Sequence, residues 1–146
     1  MKVLIQRVHS AKVTVDNSIS GSIEAGLLLL IGIAETDLEK DLDYMVEKCV
    51  HLRVFEDENG KMNRSLLDIK GEILVVSQFT LLADTRKGRR PSFINAAKPE
   101  KGEIFYNSFV KKITDYGLKV ECGVFGATMD IELINNGPVT IMVESK

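Results

Sequence analysis

The chain has 146 residues, 45% of them apolar and 27% charged, and its 19 basic and 21 acidic side chains give a formal net charge of −2. This is the composition of one globular domain, not of a disordered chain, and it excludes a surface that is basic throughout. No apolar run reaches the ~20 residues of a membrane-spanning helix, the first residues turn polar too early for a secretory leader, and two cysteines without C-x-x-C spacing frame neither a disulfide nor a zinc site.

Residues 1–8 and 11–15 alternate as strands, with a turn signal at Asp16-Asn17-Ser18 before further strands at 19–24 and 27–34. The last of these is apolar on both faces, as a strand covered on both sides would be. Thr36-Asp37-Leu38-Glu39 has capping-box spacing and predicts a helix that runs to about residue 52. Its apolar stripe is Leu38, Leu42, Met45, Val46, Cys49 and Val50. Turns are predicted at 55–61 and 68–71, and a buried strand at 72–79. Residues 81–99 carry no clear period, and a long irregular stretch in a small domain points to function. A second helix is predicted over 102–116 with Gly117 as its C-cap. A short extended piece at 118–120, a loop over 121–128 and two strands, 129–134 and 139–143, finish the chain. The fold class expected is α+β, a single domain over 1–146 with a mostly antiparallel, curved, barrel-like sheet and two main helices.

Four features carry chemistry. Asn135-Asn136-Gly137-Pro138-Val139-Thr140 separates the last two strands. Gly137 permits close backbone approach, and Pro138 lacks an amide donor, so the pair could present bare carbonyls to a ligand; a simple turn is the other reading. Ser77-Gln78-Phe79-Thr80 places two hydroxyls and an amide at the end of an apolar strand, where they could position an ester or could merely cap the strand. Thr80 is a nucleophile only with an activating base, and His9 and His51 lie outside both motifs. Phe125 and Met129 could stack a flat base or pack in the core. Arg86, Lys87, Arg89 and Arg90 crowd one loop, as a phosphate contact or a solvated surface. No metal-binding cluster, P-loop or dinucleotide fingerprint is present, so neither metal nor cofactor is expected.

Ser77-Gln78-Phe79-Thr80-Leu81 together with Asn135-Asn136-Gly137-Pro138-Val139-Thr140 resembles the D-aminoacyl-tRNA deacylase family. The likeness extends to Gln6-Arg7-Val8, Gly60-Lys61-Met62-Asn63, Arg89-Arg90-Pro91-Ser92-Phe93 and Gly123-Val124-Phe125-Gly126-Ala127-Thr128-Met129. The resemblance implies a cytoplasmic homodimer that hydrolyses D-aminoacyl-tRNA, and glycine mischarged on tRNA-Ala, in active sites at the subunit interface. It implies a cis Gly137–Pro138 bond, supported by Arg7, that enters the partner's site and excludes L-amino acids. Ser77, Gln78, Phe79 and Thr80 would line the aminoacyl pocket, and Phe125 and Met129 would flank the terminal adenine. Gln78 and Thr80 would be the catalytic positioners, with the tRNA 2′-OH assisting water. The rival classes are a non-catalytic module that binds tRNA ends and a Thr80-nucleophile hydrolase of small D-amino esters.

Overall fold

The computed structural model describes residues 1–145. Its strands are β1 (Lys2–Val15), β2 (Ser18–Ile23), β3 (Gly26–Gly32), β4 (Phe55–Glu56), β5 (Met62–Arg64), β6 (Glu72–Ser77), β7 (Val120–Cys122) and β8 (Asp130–Glu144). The helices are α1 (Glu39–His51), α2 (Leu66–Ile69) and α3 (Pro99–Thr114). The class is the expected α+β.

β1 organises the sheet. One edge pairs antiparallel with β3 through its first half and with β2 through its second, while the other edge carries β8 along its length. β6 then joins β3, and β7 joins β6, both in parallel. The sheet curls until β7 meets β2, where the Ser20 hydroxyl donates to Cys122 O at 3.4 Å. Gly21 permits this closure, because a Cβ there would lie 2.8 Å from Cys122 O. The result is a nearly closed barrel with β8 laid outside β1.

The doubly apolar reading of β3 is explained by its two coverings. Leu27, Leu29 and Ile31 belong to a core shared with α1 and α3, where Leu42, Met45, Cys49, Phe109 and Ile113 are buried. Leu28 faces the barrel interior with Val8, Val13, Ile23, Leu74 and Val76. Burial raises the Cys49 thiol to about 12, leaving it an inert core residue.

Several boundaries depart from expectation. The predicted strands 1–8 and 11–15 are one strand, because β8 bridges the gap between them. Thr36 does not cap α1: Asp37 is drawn to other partners, and the helix opens at Glu39 with the Leu38 amide donating to Asp41 Oδ2 at 2.9 Å. The first half of the turn predicted at 68–71 belongs to α2, capped by Ser65, whose hydroxyl accepts from the Asp68 amide at 3.2 Å. The predicted strand 72–79 ends at Ser77, and Phe79–Leu82 forms a 3-10 turn. α3 starts at Pro99 instead of Gly102, since proline suits the first helical turn, and Gly117 takes the left-handed φ of +78° beyond its end. Gly137-Pro138 does not split the C-terminal strand: β8 continues through it as a bulge.

Candidate active site

The parallel strands β3 and β6 end side by side, with Ile31 paired to Ser77. Beyond their carboxyl ends the chain diverges, and a cavity of about 570 Å³ opens there. This is where open α/β sheets place ligands. Ile31 and Ile33 form one wall and Ser77, Gln78 and Phe79 another. Phe93, Ala96 and Ala97 precede α3, Pro99 and Gly102 lie at its start, and Phe125, Gly126, Ala127, Met129 and Ile131 complete the lining. None of these side chains is a carboxylate, imidazole, amine, guanidinium, thiol or phenol.

The polar end of the cavity is tightly built. The Gln78 amide donates to Ile31 O at 2.7 Å, which carries β3–β6 pairing one residue past the strand. Gln78 O accepts from the Leu81 amide at 3.2 Å and so starts the 3-10 turn. The Gln78 side-chain amide donates to Thr80 Oγ1 at 2.5 Å. Thr80 is exposed and sits at the rim, outside the lining. Its hydroxyl therefore faces an amide, which cannot take its proton. Phe79 is 57% exposed and meets Phe93 edge-on, with ring centroids 5.1 Å apart at 70°.

Phe125 and Met129 both line the cavity. Phe125 rests on Tyr106, with centroids 5.8 Å apart, and the Tyr106 hydroxyl donates to Val75 O at 2.9 Å. Burial holds the Tyr106 phenol above its usual range, so it stays a donor. A Cβ on Gly102 would come within 3.2 Å of Phe125 Cζ, so a side chain there would push the ring by a few tenths of an ångström.

Gly137 and Pro138 lie outside this cavity. Between the pairs Gln6–Thr140 and Val8–Asn135, residues 136–139 bulge opposite Arg7. The Arg7 guanidinium, almost fully buried, holds the bulge: Nε donates to Asn136 O at 3.2 Å and Nη2 to Gly137 O at 3.4 Å. Its Nη1 donates to Val54 O at 2.5 Å, tying the bulge to the segment after α1. Asn135 closes the base through bonds from Nδ2 to Arg7 O at 2.8 Å and Val139 O at 3.1 Å. Val139 is buried, whereas Gly137 and Pro138 are exposed and joined by a cis peptide bond. No atom outside the adjoining residues lies within 4 Å of a Cβ built on Gly137. Arg7 thus meets the Gly137 carbonyl, and neither Gly137 nor Pro138 is among the residues that line the cavity holding Ser77, Gln78 and Phe79.

The basic loop is pinched by the bridge between Asp84 and Ser92. Arg86 folds back on Asp84, with Nη2 to Oδ2 at 2.6 Å and Nε to Oδ1 at 2.9 Å. That pairing holds the Asp84 carboxyl far below the usual range. Arg86 is consequently spoken for. Lys87, Arg89 and Arg90 are exposed and form no ion pair among the described residues.

Sequence reasoning gave no role to Phe93, Asn135 or Gly102. Phe93 follows the irregular basic stretch, Asn135 resembles ordinary turn punctuation, and Gly102 resembles a helix start. Only the packing distinguishes them.

The chain is similar to known proteins along nearly its whole length. A profile of the family described as D-Tyr-tRNA(Tyr) deacylase matches residues 4–144. The D-aminoacyl-tRNA deacylase of Bacillus cytotoxicus is 57% identical over 146 residues, covering 100% of both chains. That of Bacillus pumilus is 53% identical, covering 100% of this chain and 99% of its own. A solved structure named c-Myc DNA Unwinding Element Binding Protein matches with a TM-score of 0.94 and 44% identity, over 100% of this chain and 99% of that one. A structure described as a probable eukaryotic D-amino acid tRNA deacylase shares the fold, with a TM-score of 0.85 at 18% identity over 98% of each chain. With a profile that spans nearly the whole chain and full-length relatives above half identity, the chain belongs to the D-Tyr-tRNA(Tyr) deacylase family.

Proposed function

We propose that the chain hydrolyses the ester between a D-amino acid and the 3′-terminal adenosine of tRNA. The observation that carries this reading, beside the family, is the cavity lining: apolar walls that end in a hydroxyl and an amide, with no titratable side chain. Such a site can hold and polarise an ester but offers no group to abstract a proton. The ribose 2′-OH adjacent to the ester fills that gap. It assists water in attacking the acyl carbon, the bond to the 3′ oxygen breaks, and that oxygen takes a proton, leaving a free amino acid and tRNA. Ser77 and Gln78 orient the acyl group, and Phe79 shields it. Thr80 contributes through the 3-10 turn, whose first N–H groups lack partners within the turn. Phe125 and Met129 flank the adenine, and Lys87, Arg89 and Arg90 meet phosphates of the acceptor end.

Selection falls to the bulge. Gly137 and Pro138 of one protomer enter the cavity of its partner, where their carbonyls clash with an L side chain. β8 supports the pairing of two chains, because among the described residues only one of its edges is bonded and its side chains Ile134 and Met142 are 61% and 44% exposed. Glycine has no side chain to reject, so glycine on tRNA-Ala is a substrate as well. No helix among the described residues is long and apolar enough to cross a membrane; the tRNA substrate is what places the proposed activity in the cytoplasm. The test is release of tyrosine from D-Tyr-tRNA beside L-Tyr-tRNA and a small D-tyrosine ester. Release from D-Tyr-tRNA alone supports the reading. Release from the small ester favours a Thr80 nucleophile, and tRNA binding without release favours a nucleic-acid-binding module. The DNA-binding name of the 44% identical structure keeps that second reading worth its control.

A further inference from the structure

The N-terminus is built into the interior. Met1 is 5% exposed, and its ammonium lies 2.5 Å from Asp37 Oδ1, a carboxylate that is itself 6% exposed. The same ammonium donates to Ser145 Oγ at 2.6 Å, while Met1 O accepts from the Ser145 amide at 2.9 Å. Among the described residues no other cation pairs with Asp37. Asp41 is also buried beside this group.

Asp37 faces two ways. Its Oδ2 accepts from the Ala34 amide at 2.7 Å, and its own amide donates to Ala34 O at 3.1 Å. Ala34 bridges to Ala96, the Ala97 amide donates to Ile33 O at 2.9 Å, and the Glu35 amide donates to Asn95 O at 3.0 Å. Ile33, Ala96 and Ala97 are cavity wall. One carboxylate therefore links the ammonium to the backbone that shapes the site.

We propose that the free α-ammonium of Met1 positions this wall through Asp37, so that substrate affinity depends on Met1 being retained and unblocked. Acylation of the amine, by a formyl or acetyl group, makes it a neutral amide with a single N–H. Asp37 is then a buried carboxylate without its counter-charge, the case in which breaking a buried pair is most damaging. It turns toward water, which weakens its hold on the Ala34 amide. The effect on substrate rests on the cavity being the aminoacyl site, whereas the anchor itself does not.

The experiment uses the full chain with a free Met1, its Nα-acetylated form, and Asp37→Asn in both backgrounds. Amide hydrogen exchange at Ala34 and Ala97 reads the anchor, and KM and kcat on D-Tyr-tRNA read the site. Acetylation is expected to speed exchange at both amides and to raise KM roughly tenfold or more, with kcat changed far less. Acetylation of Asp37→Asn should add nothing further, because the carboxylate is already gone and acetylation removes the ammonium that it left unpaired. Unchanged exchange in the acetylated chain overturns the anchor; changed exchange with unchanged KM overturns its role in positioning. If acetylation unfolds the chain, Asp37→Asn with the free amine carries the exchange test, and full protection of Ala34 there overturns the proposal. Faster exchange with no tyrosine released by any form, the free-amine chain included, supports the anchor and counts against the deacylase reading alone.

Discussion

The cavity at the ends of β3 and β6 and the bulge in β8 are built in opposite ways. The cavity is a space made by many apolar side chains, with Ser77 and Gln78 at one end. The bulge is a short piece of backbone made rigid from behind: Arg7 and Asn135 hold its carbonyls and Val139 anchors it, while Gly137 and Pro138 face outward. A space accommodates and a fixed backbone edge excludes. Under the proposed function, ester handling falls to the first region and selection to the second, with a second copy bringing the two together.

Arg7→Ala should have the largest effect on this division. It removes the donors to Asn136 O, Gly137 O and Val54 O at a buried position, for a loss of about 3 kcal/mol in urea unfolding. Asn135→Ala should cost less, about 1–2 kcal/mol, and loosen the same bulge.

Gly102→Ala acts on the cavity instead. Alanine gains up to about 1 kcal/mol of helix propensity over glycine, and the crowding of Phe125 offsets a similar amount. Thermal stability should therefore barely move, while KM for D-aminoacyl-tRNA rises several-fold because Phe125 is displaced. A stability loss without a KM change would mean that Phe125 only packs.

Thr80→Ala is expected to keep substantial turnover, within about tenfold of the native rate, since the hydroxyl faces the Gln78 amide and no base. A tRNA ending in 2′-deoxyadenosine should bind and turn over poorly. The reverse pattern would move the chemistry from the RNA to Thr80. Because the lining holds no titratable group, kcat/KM should show no bell between pH 6 and 8.

The smallest effect concerns the basic loop. Arg89→Ala should lower the salt slope of tRNA binding by about one. Arg86→Ala should change it less, because Asp84 already neutralises that charge. Asp84→Asn should then steepen the slope by freeing Arg86. Equal slopes for the two arginine variants would return the loop to a solvated surface.

How far the sequence spoke for itself differed in the same two regions. Periodicity revealed β3, β6, α1 and α3 because burial on one or both faces writes an apolar pattern. The Ser77-Gln78 end was legible as polar residues after an apolar run. The continuity of β8 through Gly137-Pro138 was not, because Gly-Pro punctuation reads alike in a turn and in a strand; β8 stays one strand, with Arg7 and Asn135 bonded to the bulged segment. Two parallel pairings, β3–β6 and β6–β7, were equally invisible, since neither partner's pattern records the direction of its neighbour. The Met1–Asp37 pair was hidden for a similar reason: Asp37 resembled part of a helix cap until its partner was placed.

The most direct test of the division between cavity and bulge is the ratio of D-tyrosine to L-tyrosine released from charged tRNA by the native chain and by Arg7→Ala. The account predicts release of the D form alone by the native chain, and release of both by the folded variant. Strict D preference in a folded Arg7→Ala, or release of neither by the native chain, would contradict it.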